Sequence, residues 1–152
     1  MQANWILATK QAPAENTEVV VLVRVLGMNN KYTQVLGTAT YSKEGRYETT
    51  TRYFQDVTYY IPFSRDVDLD PPEGFAKFTK LASLSAKPET GDDPEIIYVV
   101  RMEYEGRVTF STAYFKNGKW GNLAGTLSHV THAAPLARVP KMPQKNTSDQ
   151  KK

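Results

Sequence analysis

"GRYETTTRYFQDVTYYIPF" (residues 45–63) and "GKWGNLAGTLSHVTHAAPL" (residues 118–136) are one skeleton written twice. Each opens with Gly, a basic residue and an aromatic. Nine arbitrary residues follow, then Val-Thr, Tyr or His, two more residues, Pro, and Phe or Leu. The two copies are offset by 73 positions without a gap, so the chain carries one unit in duplicate. Internal repetition of this kind means two related units that bury their apolar faces against each other.

The units read as β-structure. "EVVVLVRV" (18–25) and "EIIYVVRM" (95–102) are β-branched runs, apolar on both pleat faces until an arginine, as expected of central strands covered on each side. A shift of 77 sets Val20 against Ile97, Leu22 against Val99 and Arg24 against Arg101. Gly106 marks a tight turn, and Asn117-Gly118 suits a type I′ hairpin, whose two central residues both need positive φ. "LGMNNKY" and "KEGRY" stand at the matching places of the first half. A closing strand covers 57–61 and 130–134, each stopped by a proline (Pro62, Pro135) that cannot donate to a ladder. Phe75, Phe78 and Leu81 recur every three residues and allow one short helix near 72–82, whereas the repeat argues for a strand from Phe78 onward.

The expected fold is therefore all-β: two tandem antiparallel β-meander units related by a pseudo-twofold. The expected limits are a first repeat over 1–63, an acidic Pro-rich connector over 64–77, a second repeat over 78–138 and a disordered basic tail over 139–152. Units of this size bury little surface alone, so packing together is the simple solution.

Composition excludes several classes. Without cysteine there is no disulfide framework, thiolate zinc site or cysteine nucleophile. "MQANWILATK" has no basic region or long apolar run, so no signal peptide is expected, and the longest apolar run is too short for a bilayer. The net charge of +3 lies in the tail, where Lys141, Lys145, Lys151 and Lys152 oppose Asp149; residues 1–138 sum to zero, which gives no basic footprint on the folded body.

The repeat resembles a phage and prophage family, domain of unknown function 551. That family opens on Trp with Pro eight residues later, then an acidic residue before a Val-Leu-Val strand. An aromatic hairpin follows, and the close runs like "VTHWMPLP". Trp5, Pro13, Glu18 and "VVVLV" match the opening; "YSKEGRY" (41–47) and "VTYYIPF" (57–63) match the hairpin and the close. "AYFKNGKW" (113–120) and "VTHAAPL" (130–136) repeat the latter two. Tyr47 replaces the usual hairpin Trp and Tyr59 the usual His; the second half lacks the opening Trp and has Ala133 where the closing Trp stands. The resemblance implies a phage origin, a setting in the bacterial host cytoplasm, and no known activity or catalytic residues.

Four groups of residues carry what the sequence says about function. Arg24 and Arg101 are either strand-end arginines with packed stems, or a paired site for a small anionic ligand or nucleotide. His129 and His132, three apart on a strand, point to opposite faces and make no metal site; His132 and its counterpart Tyr59 share a structural hydrogen-bonding role. Trp5, Tyr47 and Trp120 are motif aromatics with a packing role. Residues 52–63 hold more aromatics than one buried strand face can hide, so at least one of Tyr53, Phe54, Tyr59 and Tyr60 should lie on the surface or at an interface, a pointer to a binding face. No phosphate loop, dinucleotide fingerprint or nucleophile elbow is present, and no cofactor is implied. The leading expectation is a non-enzymatic phage accessory protein that binds a host or phage protein, for instance to inhibit a host enzyme or defence system. Sequestering an anionic ligand is the alternative, nucleic-acid binding through the tail a third, and self-association stays open.

Overall fold

The computed structural model of the chain describes residues 3–89, 93 and 95–143; most of the expected tail, residues 144–152, lies outside them. Among the described residues the protein is all-β, with no helix. One antiparallel sheet holds β1 (Ile6–Leu7), β2 (Glu18–Leu26), β3 (Tyr32–Tyr41), β4 (Tyr47–Glu48), β5 (Tyr53–Phe54) and β6 (Val57–Phe63), in the order β1-β6-β2-β3-β4-β5. The second holds β7 (Thr79–Lys80), β8 (Ile97–Tyr104), β9 (Arg107–Lys116), β10 (Lys119–Asn122), β11 (Gly125–Thr126) and β12 (Val130–Leu136), in the order β7-β12-β8-β9-β10-β11. Element for element, the second order is the first.

Neither half is a simple meander. The closing strand returns past the short β4 and β5 to lie beside β2, and β12 likewise lies beside β8. A strand apolar on both faces belongs in the middle of a sheet, and long strands flank it on both edges, β6 and β3 beside β2 and β12 and β9 beside β8. The prolines do not end their strands either, since β6 runs on to Phe63 and β12 to Leu136. β1 covers β6 only at Tyr59 and Tyr60, so the outer edge at Pro62 needs no ladder N–H; its carbonyl instead accepts from Ala76 N–H at 2.8 Å. The short helix near 72–82 is absent because Gly74 sits at φ +90, outside helical space, and Thr79–Lys80 joins the sheet edge as β7. Two of the two-residue hairpins of the second half are primed turns, with φ 51 and 79 at Glu105-Gly106 and 53 and 75 at Asn117-Gly118.

Ladder register corrects the alignment of the halves. Ile61 pairs with Val20, and its repeat counterpart Ala134 pairs with Val99. The offset along β2 and β8 is therefore 79, and both closing strands bulge at the matching residues Thr58 and Thr131. Arg101 is the counterpart of Leu22, and Arg24 that of Glu103; Arg24 and Arg101 do not correspond. A slip of two residues leaves every side chain on its original face, so an apolar run cannot report it.

Each central strand is covered on both faces. Between the sheets lies a shared core of Val20, Ile61 and Phe63 against Val99, Ala134 and Leu136, closed by a ring group in which Phe110 stands 5.2 Å from Phe63 and 5.6 Å from Phe78. The opposite face of the first sheet buries Val19, Val21, Val23, Ala39 and Tyr60 beneath Ile6, Tyr47 and Phe54. The second sheet buries Tyr98, Val100, Ala113, Phe115, Trp120, Val130 and Ala133 with Leu81.

The lead-in segments cross between halves. Ala3 bridges Leu136 and accepts from Ala137 N–H at 2.9 Å, and Trp5 Nε1 donates to the Ala137 carbonyl at 2.8 Å, before the chain enters β1 of the first sheet. Ala76, the counterpart of Ala3, is tied to Pro62 of the first half before the chain enters β7 of the second. Each half thus straps down the closing strand of the other. Residues 64–77 are no free linker, since Ala76 is 1% exposed within the shared core. Nor is 139–143 a solvated end: Val139 packs on that core, the Pro140 carbonyl accepts from Gln34 Nε2 at 3.0 Å and the Lys141 carbonyl from the Tyr59 hydroxyl at 3.3 Å.

Candidate functional site

The two arginines are each engaged within their own sheet. Arg24 is 10% exposed along its side chain, with Nε 3.8 Å from Asp56. Arg101 donates through Nη1 to Thr131 Oγ1 at 2.8 Å and through Nη2 to Glu103 at 2.9 Å. The backbone link Arg24 N–H to Asp56 O, 2.8 Å, recurs as Glu103 N–H to His129 O, 3.1 Å. The repeat thus places a basic–acidic pair opposite a carboxylate and a histidine. The symmetry argument for one anion held by Arg24 and Arg101 falls with the corrected register.

His132 is 9% exposed, with Nδ1 2.9 Å from Thr131 Oγ1. That hydroxyl donates to the Arg101 carbonyl at 3.2 Å and accepts from Arg101, which leaves Nδ1–H as the donor to it. Burial, and then the Arg101 charge, push the imidazole below its ordinary pKa; Asp68 and Glu103 act in the opposite sense and Lys80 with Arg101. The unfolded chain therefore takes up the proton first. Stability attributable to His132 is fully present above pH 6.5 and declines as pH falls below it toward the folded-state value. Urea midpoints at pH 7.5 and 5.5 should differ more for the wild type than for His132→Gln; equal differences would remove His132 from the pH response.

The aromatic run at 52–63 is mostly internal. Tyr60 is 2% exposed, Phe54 is half-buried under Arg52, and Tyr59 lies beneath the 139–143 segment. Tyr53, 46% exposed with Arg46 5.3 Å over its ring, is the most exposed of the four. The sheet buries side chains on both faces, so aromatics that exceed one face are absorbed by the other. Trp120 and Tyr47 take packing roles: Trp120 is 1% exposed and Tyr47 stands edge-on to Tyr41 at 4.9 Å.

The main exposed apolar surface lies elsewhere, on the hairpin of β2 and β3. Val25 is 36%, Leu26 55%, Tyr32 39% and Val35 41% exposed, and Met28 at the tip is fully so. Leu26 faces Tyr32 across the ladder, and Val35 pairs with Val23 one step from Val25, so both faces of the projecting end are apolar. The matching hairpin of the second half turns at Glu105-Gly106, carries Glu103 and Arg107, and has Tyr104 as its one exposed large apolar residue, set against His129 at 4.5 Å. Sequence reading passed over "LGMNNKY" because Gly and Asn mark a turn; the signal was apolar residues at a place where a turn is normally polar.

Among the described residues no three His, Asp or Glu side chains gather as a metal site, and no helix is long and apolar enough to cross a membrane. No family model, curated protein or solved structure matches the chain.

Proposed function

We propose that the protein is a non-enzymatic binding module that docks onto another protein through the β2–β3 hairpin. The observation that carries this is the contiguous exposed group Val25, Leu26, Met28, Tyr32 and Val35, present in one half and absent from its counterpart. Apolar patches of this kind on a soluble surface mark protein contacts, and a convex hairpin suits a groove on a partner better than it suits a small ligand. The resemblance to the phage family favours a host or phage protein as the partner and host cytoplasm as the setting, with inhibition of a host enzyme or defence system as the use.

The triple variant Leu26→Ser/Met28→Ser/Tyr32→Ser tests this. These side chains lie outside the buried clusters, so the unfolding free energy from urea titration should hold to within roughly 0.5 kcal/mol. Capture of the partner that the wild type retains from infected host cells should fall on the order of 100-fold, as removal of two or three central apolar anchors does. Undiminished capture of that same partner by the triple variant would rule the hairpin out.

A further inference from the structure

The second half holds a cleft of about 310 Å³ at a ladder position where the first half carries bulkier side chains. Buried Leu81, Pro88, Tyr98 and Ala133 line its depth with Pro135 beside them, and exposed Lys77, Thr79 and Glu89 form its rim. Cross-strand register identifies what stands there in the first half. Thr79 faces Ala133, and their counterparts Ile6 and Tyr60 face each other in the same way. At one ladder position a bulky pair has become a small one. Tyr60 is 2% exposed and packs among Val19, Val21 and Ile6, with the ring of Tyr47 at 6.4 Å. Ala133 offers only a methyl group.

The volume lost on β12 is partly returned from β8. Tyr98 is the counterpart of Val19, and its ring stands edge-on to Trp120 at 5.0 Å. Tyr98, Trp120 and Leu81 are all buried, and the opening lies over Tyr98 and Ala133, toward the sheet edge at β7. Its size is at the lower end of pockets that hold small organic groups and is ample for one six-membered ring. An aromatic side already lines it, and offset or edge-on ring pairs gain beyond area burial alone.

We propose that this cleft receives a tyrosyl side chain of a partner polypeptide, an external ring where the first half supplies Tyr60. The first half is the template: the same backbone ladder there closes over a phenol. Polar Thr79, Lys77 and Glu89 at the rim give the phenol hydroxyl partners that an aliphatic side chain would leave unused, since a ring that buries its face keeps its polar tip wet or bonded. The cleft stands on its own geometry; only the polypeptide source of the ring rests on the protein-binding role proposed above.

The test uses the full chain with ¹³C-labelled alanine methyl groups and N-acetyl-tyrosine methylamide as the probe. The Ala133 methyl should shift upfield, from the ring current, along a saturable curve, with the hairpin variant behaving as the wild type does. N-acetyl-leucine methylamide should bind at least tenfold more weakly. Ala133→Tyr fills the cleft from within and should abolish binding, read for the variants by calorimetric titration of the same probe because they lack the Ala133 methyl. Because that ring crowds Tyr98, the variant Tyr98→Val/Ala133→Tyr installs the first half's own combination, Val19 with Tyr60, which relieves the crowding, and should likewise fail to bind. A flat Ala133 resonance, equal affinity for the leucine probe, or wild-type affinity in the Val/Tyr variant would each overturn the proposal. None of these outcomes touches the hairpin, whose own variant is read by partner capture.

Discussion

Trp120→Ala should remove a large part of the folding stability. Trp120 is 1% exposed, stands edge-on to Tyr98 at 5.0 Å and to Phe115 at 5.1 Å, and donates from Nε1 to the Ala86 carbonyl at 2.8 Å. Truncating a fully buried tryptophan costs roughly 3–5 kcal/mol, because lost transfer free energy and an unrelaxed cavity add. The Ala86 carbonyl loses its donor as well, which adds about 1 kcal/mol. Domains of this kind hold only about 5–15 kcal/mol in total. Equilibrium urea unfolding should therefore show a midpoint lowered by a third or more. Trp120→Phe, which keeps the ring contacts and loses the hydrogen bond, should fall between. A Trp120→Ala unfolding free energy within about 0.5 kcal/mol of wild type would mean that the second cluster contributes little. Tyr47, the counterpart, is half-buried and should cost less on the same truncation.

The second large effect concerns the halves themselves. Expressed separately, residues 3–70 and 71–143 should each lack a cooperative unfolding transition and a dispersed amide spectrum. Separation exposes Val20, Ile61 and Phe63 on one side and Val99, Ala134 and Leu136 on the other. It also removes both straps, since Ala3 and Trp5 hold Ala137 while Ala76 holds Pro62. Units of this length bury too small a share of their surface to make up that loss. Mixing the two fragments at equal concentration should restore the spectrum, because every crossing contact can re-form between separate chains. A half that folds alone, with a sharp transition, would show that the shared core is dispensable.

Much of the fold was legible in the chain. The gapless 73-residue offset is reproduced by two identical strand orders, and the β-branched runs are covered on both faces as their composition required. What escaped was whatever period-two patterning cannot carry. Arg24 was set against Arg101 because a two-residue slip preserves every face, and only the pairing of Val20 with Ile61 and of Val99 with Ala134 fixes the true register. Pro62 read as a terminator because its missing N–H matters only where a neighbour needs it, and that edge is free of β1. The candidate surface was the least legible part. The aromatics of residues 52–63 suggested exposure by excess, yet a sheet with two buried faces took in nearly all of them. The hairpin tip at Met28 looked like ordinary turn sequence until its 108% exposure gave it a different meaning.

The crossed straps have a consequence for how the two halves can change. In a symmetric pair of identical chains every substitution is felt twice, once on each side of the axis, so a residue that suits one side must be tolerated on the other. Covalent linkage through residues 64–77 lifts that constraint while the straps keep the two sheets clasped. Tyr60 can seal one side while Ala133 leaves the other open, and one hairpin can lengthen into an apolar finger while its twin stays short and charged. The clasp is shared property, and the freedom to specialise belongs to each half alone.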